Sequence, residues 1–181
     1  MSESVRVSKY LSYVLRHRPD SIGLALDEQG WANVEELLAR SAEHGETLDR
    51  ATLDEIVRTC PKRRYAFSED RTRIRASQGH SLKIDLALKP QTPPETLYHG
   101  TATRFLEVIL RDGLRSMNRT HVHLSADVET ATAVGRRHGK PVVLEVAAAR
   151  MANDGYRFYL SENSVWLAEV VPPQYLRQVE S

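Results

Sequence analysis

Residues 65–75 read Tyr-Ala-Phe-Ser-Glu-Asp-Arg-Thr-Arg-Ile-Arg. Tyr65-Ala66-Phe67 and Arg73-Ile74-Arg75 alternate and flank a polar turn, the pattern of a β-hairpin. Working upstream, three helical stretches and a short strand precede it. Val7, Leu11, Val14 and Leu15, with Tyr10 beside them, have helical spacing over positions 5–15. Pro19 restricts its predecessor and sets a stop after Arg16 and His17. A second helix is predicted to start at Asn33, with Glu36 at capping-box distance and Val34, Leu37 and Leu38 as its apolar stripe. A third is predicted to start near Thr52, with Glu55 at the same spacing, to bury Leu53, Ile56 and Val57, and to end at Pro61. Three helices followed by a hairpin describe a winged-helix lobe.

Downstream, Lys89-Pro90-Gln91-Thr92-Pro93-Pro94 reads as a linker, stiffened by its prolines into an extended spacer. Beyond it the pattern changes. Leu97-Tyr98-His99 opens a strand, Thr103 to Asp112 is helical with Gly113 as stop, and His121 to Leu124 alternates. Asp127 to His138 is helical, Pro141 to Ala147 is a Val-rich strand, and Arg157-Phe158-Tyr159 and Val165 to Val171 are further strands. Strands with interspersed helices make the second lobe α+β.

The chain has 181 residues and a net charge of +1, which fits one domain or two small ones. No run is apolar enough to span a membrane and no signal-peptide core is present, so a cytoplasmic protein is expected. A lone cysteine, Cys60, excludes an intramolecular disulfide and a cysteine-based zinc site. Most of the 25 basic residues are arginines, whose planar fork matches phosphate; base composition of the genome produces the same bias. Between Arg58 and Lys83 stand Arg58, Lys62, Arg63, Arg64, Arg71, Arg73, Arg75 and Lys83 against only Glu69 and Asp70. Such a window is the footprint of a polyphosphate or nucleic acid, or else a solvated basic face.

Five short segments carry chemistry. Arg16-His17 joins an always-charged fork to a group titrating near neutrality, which suits phosphate chemistry and equally suits a helix C-cap. Tyr98-His99-Gly100-Thr101 sets a histidine at a strand end beside a glycine that lets a ligand approach the backbone, or simply forms a turn. In Arg119-Thr120-His121-Val122-His123-Leu124-Ser125 a strand puts Arg119, His121 and His123 on one face and Val122 and Leu124 on the other. His-x-His also suits metals, but no third ligand stands at the right spacing. Arg75-Ala76-Ser77-Gln78-Gly79-His80-Ser81 gathers phosphate donors around a glycine, or is an ordinary polar turn. Ser161-Glu162-Asn163-Ser164-Val165-Trp166-Leu167 opens the last strand, with Trp166 in the core.

Together with Ser8 to His17 and Lys62-Arg63-Arg64-Tyr65, these segments resemble the RNA 2′-phosphotransferase family, enzymes that remove the tRNA splice-junction 2′-phosphate with NAD. The resemblance spans nearly the whole chain. It implies an α+β protein with a winged-helix RNA-binding lobe over residues 1–88 and an NAD-binding lobe of the ADP-ribosyltransferase fold over 95–181. It puts the catalytic residues at Arg16, His17, Arg64 and Arg119, four side chains required to face one cleft. It puts the NAD contacts at His99, Gly100, Thr101, His123, Ser125, Asn163 and Val165, and RNA contacts at Arg75, Gln78, Gly79, His80 and Ser81. NAD is implied as a consumed co-substrate, with no metal, a 2′-phosphorylated RNA as partner and a monomeric enzyme. Arg63, Tyr65 and Ser164 depart from the family, which often has glutamine, phenylalanine and glycine there. Two rivals share these motifs: a winged-helix DNA regulator with a sensor lobe, and an ADP-ribosyltransferase acting on protein or on nucleic-acid ends.

Overall fold

Val7, Leu11, Val14 and Leu15 are buried on one face of the first helix, α1 (Glu3–Arg16). This computed structural model describes residues 3–180. By its internal packing the chain divides into two units, 1–87 and 88–181.

In the first unit, α1 runs into a 3-10 turn, Pro19–Ile22, closed by Gly23 in the left-handed region at φ 65°. A short strand β1 (Ala32–Asn33) leads into α2 (Val34–Glu43), where the Asn33 side chain accepts from the Glu36 N–H at 3.0 Å. Helix α3 (Arg50–Thr59) starts earlier than expected. Its cap is Asp49, which accepts from the Thr52 N–H at 2.7 Å, so Thr52 lies inside the first turn. That N–H bond also holds the Asp49 carboxyl below the ordinary range. Leu53 and Ile56 are buried and Val57 packs against the core from its edge. The hairpin forms as β2 (Tyr65–Phe67) and β3 (Arg73–Ala76), with Phe67 opposite Ile74, and β1 adds to the free side of β3 through Ala32. The Tyr65 hydroxyl donates to the Ser8 carbonyl and ties the sheet to α1.

The second unit begins before its first strand. Gln91 donates its N–H to Phe158 O at 2.8 Å and Pro93 is buried, so the proline segment is anchored to this unit rather than free-standing. Strand β4 (Leu97–Ala102) is followed by α4 (Thr103–Asp112), β5 (Leu114–Arg115), β6 (Val122–Leu124), α5 (Val128–Arg136) and β7 (Pro141–Val146). Then come α6 (Ala148–Asn153), β8 (Phe158–Leu160), β9 (Trp166–Ala168), β10 (Val170–Val171), a 3-10 turn Pro173–Tyr175 and β11 (Leu176–Gln178). Two antiparallel three-stranded sheets, β11-β7-β4 and β6-β9-β8, are joined by a bridge between Tyr98 and Ser125. The apolar run 165–171 is not one strand. It changes partner at Glu169, with β9 pairing β6 and β8 and β10 pairing β5. Trp166 is half-buried at the edge of the core rather than within it.

Helix α5 lies directly on β4. A Cβ on Gly100 would stand 1.7 Å from the Ala131 carbonyl oxygen, and one on Gly135 would stand 2.6 Å from the Thr101 carbonyl. The close backbone approach expected for a ligand at Gly100 is therefore made, on that face, by a helix. The mixed α/β content agrees with an α+β protein. Among the described residues no helix is long and apolar enough to cross a membrane.

Candidate functional site

In the first unit, the candidate residues gather around the end of α1. Arg16 is its last residue, and its carbonyl, one of the orphans of a helix C-terminus, accepts from the Ser81 N–H at 3.0 Å. His17 Nδ1 stands 2.9 Å from Ser81 Oγ. Gly79 takes φ 87°, and the Arg16 guanidinium lies 3.6–3.8 Å from where a Cβ on Gly79 would be. The 78–81 turn thus wraps the Arg16-His17 pair.

Arg64 precedes β2, and its carbonyl accepts from the Ser77 N–H at 2.8 Å, which carries the hairpin ladder to the root of that turn. Its guanidinium lies 3.9 Å from Cys60 Sγ and is half-buried. Arg63 is exposed, at φ 43°, with its carbonyl accepting from the Ser77 hydroxyl at 2.8 Å. Of the two neighbours, Arg64 is the one held toward the protein.

Three residues read as RNA contacts, Arg75, Gly79 and His80, are buried rather than surface groups. His80 is 1 % exposed. Burial, then the charges of Arg16, Arg75 and His17, push its imidazole down to about 4, so it is neutral at physiological pH. Its Nε2 and the Gln78 Oε1 are buried without a hydrogen-bond partner among the described residues. Arg75 is 7 % exposed, its guanidinium 4.4 Å above the Trp31 ring, with NH1 pointing to Leu86 O at 3.5 Å. The indole face gives that buried charge a place to rest. Arg73 covers the same ring at 5.4 Å. Trp31 lies far from Arg75 in the chain, and nothing in its own neighbourhood signals the stack.

The basic window is also thinner than its local count. Arg58 pairs with Glu55 at 2.6 Å, Arg71 with Asp54 at 2.9 Å and Arg73 with Asp27 at 3.5 Å. All three carboxylates come from outside the window.

In the second unit, His99, His123 and Arg119 form a chain of contacts. His99, on β4, donates from Nδ1 to the His123 carbonyl at 3.1 Å. Burial lowers the affinity of His99 for a proton, which keeps the ring neutral. His123 stands on β6 between the buried Val122 and Leu124. Arg119 NH1 donates to His123 Nδ1 at 2.8 Å. His121 does not share the His123 face in a strand, because β6 starts only at Val122; its ring packs edge-on against Tyr159 at 5.5 Å.

The Ser125 N–H donates to the Tyr98 carbonyl and the Ser125 carbonyl accepts from the Tyr98 N–H, both at 2.8 Å. By strand alternation the Gly100 N–H and carbonyl point the same way as those of Tyr98, away from β7, and the pairing with Ser125 stops before them. A donor and an acceptor thus lie side by side where β4 leaves β6. Thr101 is buried. The 161–165 turn closes on itself. Ser161 Oγ donates to Asn163 Oδ1 at 2.6 Å and accepts from the Val165 N–H at 3.0 Å, and the Ser161 N–H donates to Val165 O. The Val165 N–H is thereby taken up within the turn. No cluster of three metal-ligating side chains occurs among the described residues.

The comparison with known proteins gives first the class of enzyme, a transferase, and then the family. Residues 2–170 match the family model described as RNA 2'-phosphotransferase, Tpt1 / KptA family, and the chain belongs to that family. A protein of Agrobacterium fabrum described as "Probable RNA 2'-phosphotransferase" is 60% identical over 173 residues, 96% of this chain and 93% of that protein. Proteins of the same description from Streptomyces coelicolor and Acaryochloris marina are 56% and 55% identical over 174 residues each, covering 96% of this chain and 94% and 96% of theirs.

Proposed function

We propose that this chain removes an internal RNA 2′-phosphate by transferring it to NAD. In the first step a 2′-phosphate oxygen attacks C1″ of the nicotinamide ribose, the glycosidic bond breaks, and nicotinamide leaves with the bonding electrons. In the second, the ribose 2″-hydroxyl attacks the phosphorus and gives up its proton to solvent, the P–O2′ bond breaks, and the RNA 2′-oxygen leaves, taking a proton. The products are 2′-hydroxyl RNA and ADP-ribose 1″,2″-cyclic phosphate.

The observation that carries this reading is the Arg119–His123 contact of 2.8 Å. A guanidinium suited to phosphate lies beside a histidine suited to a ribose, as attack of phosphate on ribose demands. Gly100, with its backbone donor and acceptor turned outward, suits the nicotinamide carboxamide. His99, Thr101, Ser125, Asn163 and Val165 complete the proposed NAD wall. The ADP-ribosyltransferase fold over 95–181 and the winged helix over 1–88 are part of the same proposal.

Arg16, Arg64 and Arg119 would bind phosphate oxygens through charge-assisted hydrogen bonds. They supply the positive charge that a divalent metal supplies in other phosphoryl transfers. The clamp lowers the phosphate's nucleophilicity in step one and stabilises the more charged transition state of step two, so step two depends on it more. His17 donates the proton to the departing 2′-oxygen.

The test is incubation with an oligonucleotide carrying one internal 2′-phosphate, with and without NAD. NAD-dependent phosphate loss is expected, and Arg64→Ala or Arg119→Ala is expected to accumulate 2′-phospho-ADP-ribosylated RNA. Transfer of ADP-ribose only to nucleic-acid ends or protein, with the internal phosphate retained, overturns the reading. Equal loss of both steps without an intermediate overturns the division of labour among the arginines.

A further inference from the structure

Ser81 sits in a turn rich in phosphate donors, yet its own polar atoms face the end of α1. Its N–H donates to the Arg16 carbonyl at 3.0 Å. Its Oγ is 2.9 Å from His17 Nδ1 and 3.5 Å from that same Arg16 carbonyl. The Arg16 carbonyl can only accept. When the Ser81 hydroxyl turns its hydrogen toward it, Oγ is left as the acceptor for His17, and His17 Nδ1 must carry a proton. We propose that Ser81 is a positioning residue for His17: it holds the proton on Nδ1 in both charge states, so that Nε2 is the nitrogen that gives and takes the catalytic proton.

The inference deepens the proposed function, and its chemical consequence rests on that reading. Cationic His17 donates its Nε2 proton to the RNA 2′-oxygen as the P–O2′ bond breaks. What remains is a neutral imidazole protonated at Nδ1, the one neutral tautomer that Ser81 stabilises. No proton has to move around the ring and no hydrogen bond has to be exchanged during the step. The arrangement follows the general design in which an acid–base imidazole is oriented by a third group at its other nitrogen. The turn is shaped for this purpose. Gly79 at φ 87° lets it fold over Arg16, and the fully buried His80 roots it in the core.

Two measurements test the proposal. The first needs no substrate: nitrogen-15 NMR of the imidazoles at a pH where His17 is neutral. The wild-type protein is expected to show the Nδ1–H form. Ser81→Ala, which keeps the backbone bond to Arg16, is expected to revert to the Nε2–H form that imidazole prefers in water. The second is turnover. Ser81→Ala is expected to lower kcat about 10-fold, a fraction of what general acid catalysis contributes, with KM for RNA and NAD little changed, and Ser81→Thr is expected to restore it. An Nε2–H form in both proteins overturns the proposal, as does a Ser81→Ala variant whose only defect is a raised KM for RNA. If the tautomer behaves as expected but no phosphate is lost from RNA, the proposed function fails and the positioning role stands.

Discussion

Arg119 donates from NH1 to Nδ1 of His123 at 2.8 Å, and the His123 carbonyl accepts from His99. Because Arg119 has no acceptor, His123 must be neutral with its proton on Nε2. A cationic His123 would lose this bond and face the guanidinium as a like charge. The pair therefore ties the aim of a candidate phosphate-binding arginine to the state of a candidate ribose-binding histidine.

His123→Asn retains an acceptor near the Nδ1 position and His123→Leu does not. The Leu variant is expected to lower kcat for phosphate removal by about 10-fold to 100-fold, since misplacing a positioned group by about 1 Å can cost on the order of 100-fold, and the Asn variant by clearly less. KM for NAD, measured in parallel, separates loss of a ribose contact from loss of Arg119 aim. Equal kcat values for the two variants would show that His123 does not act through Arg119.

His80 makes the first unit acid-sensitive. The unfolded chain binds a proton there near the ordinary 6.5, whereas the folded chain resists until about 4. Between these values the unfolded state holds more protons, so stability falls as pH falls; below about 4 both states are protonated and no more is lost. At about 1.4 kcal/mol per unit, roughly 3 kcal/mol is involved. Urea midpoints for wild type and His80→Asn, compared from pH 7 to 4, are expected to fall more steeply in the wild type than in the variant, which keeps only the slope from carboxylates such as Asp49. Parallel slopes would mean that His80 charges freely in the folded protein.

Much of the architecture was legible because it is local. Helix α4 ends where Gly113 stops it, and Asn33 caps α2 as its spacing foretold. Apart from the local choice of cap at α3, what was not legible depends on residues distant in the chain. Asp49 takes the α3 cap ahead of Thr52 through a competition between two nearby cap sites. The break at Glu169 falls at the one charged residue of an otherwise apolar run, which does not by itself say that the strand ends there; the break arises from β5 pairing with one half and β6 with the other. Gly100 signalled a close approach without saying that α5 makes it. For the site, the residue types at Arg16, His17, Arg119 and His123 were readable. The Arg75–Trp31 stack and the Ser81–His17 link were not, because each joins residues far apart in sequence.

Ser164 offers a stability test. It stands in the left-handed region at φ 63°, in a turn closed by Ser161 and Val165. Such a conformation costs a residue with a side chain about 1–2 kcal/mol, and glycine none. Glycine also gives the unfolded chain more freedom, about 0.4–1 kcal/mol. Ser164→Gly is therefore expected to stabilise by up to about 1 kcal/mol, a rise in Tm of about 3 °C. A fall in Tm would mean that the serine side chain contributes more to this turn than the backbone strain removes.

RNA affinity should carry a modest salt dependence, and the reason lies in the pairing of the basic window. Eight cations acting on single-stranded RNA would give a slope of log K against log salt near about −6. Three of them, Arg58, Arg71 and Arg73, already face carboxylates, and Arg75 is buried against Trp31. At most four of the eight remain for phosphate, which sets the window's share of the slope near about −3. The measurement is binding of a 2′-phosphorylated oligonucleotide across a salt series, repeated with Arg73→Gln. The variant should leave the slope almost unchanged, since the arginine it removes is matched by Asp27. A slope near −6 would show that RNA draws these arginines away from their carboxylates, and the Arg73→Gln slope would then be shallower by about 0.7.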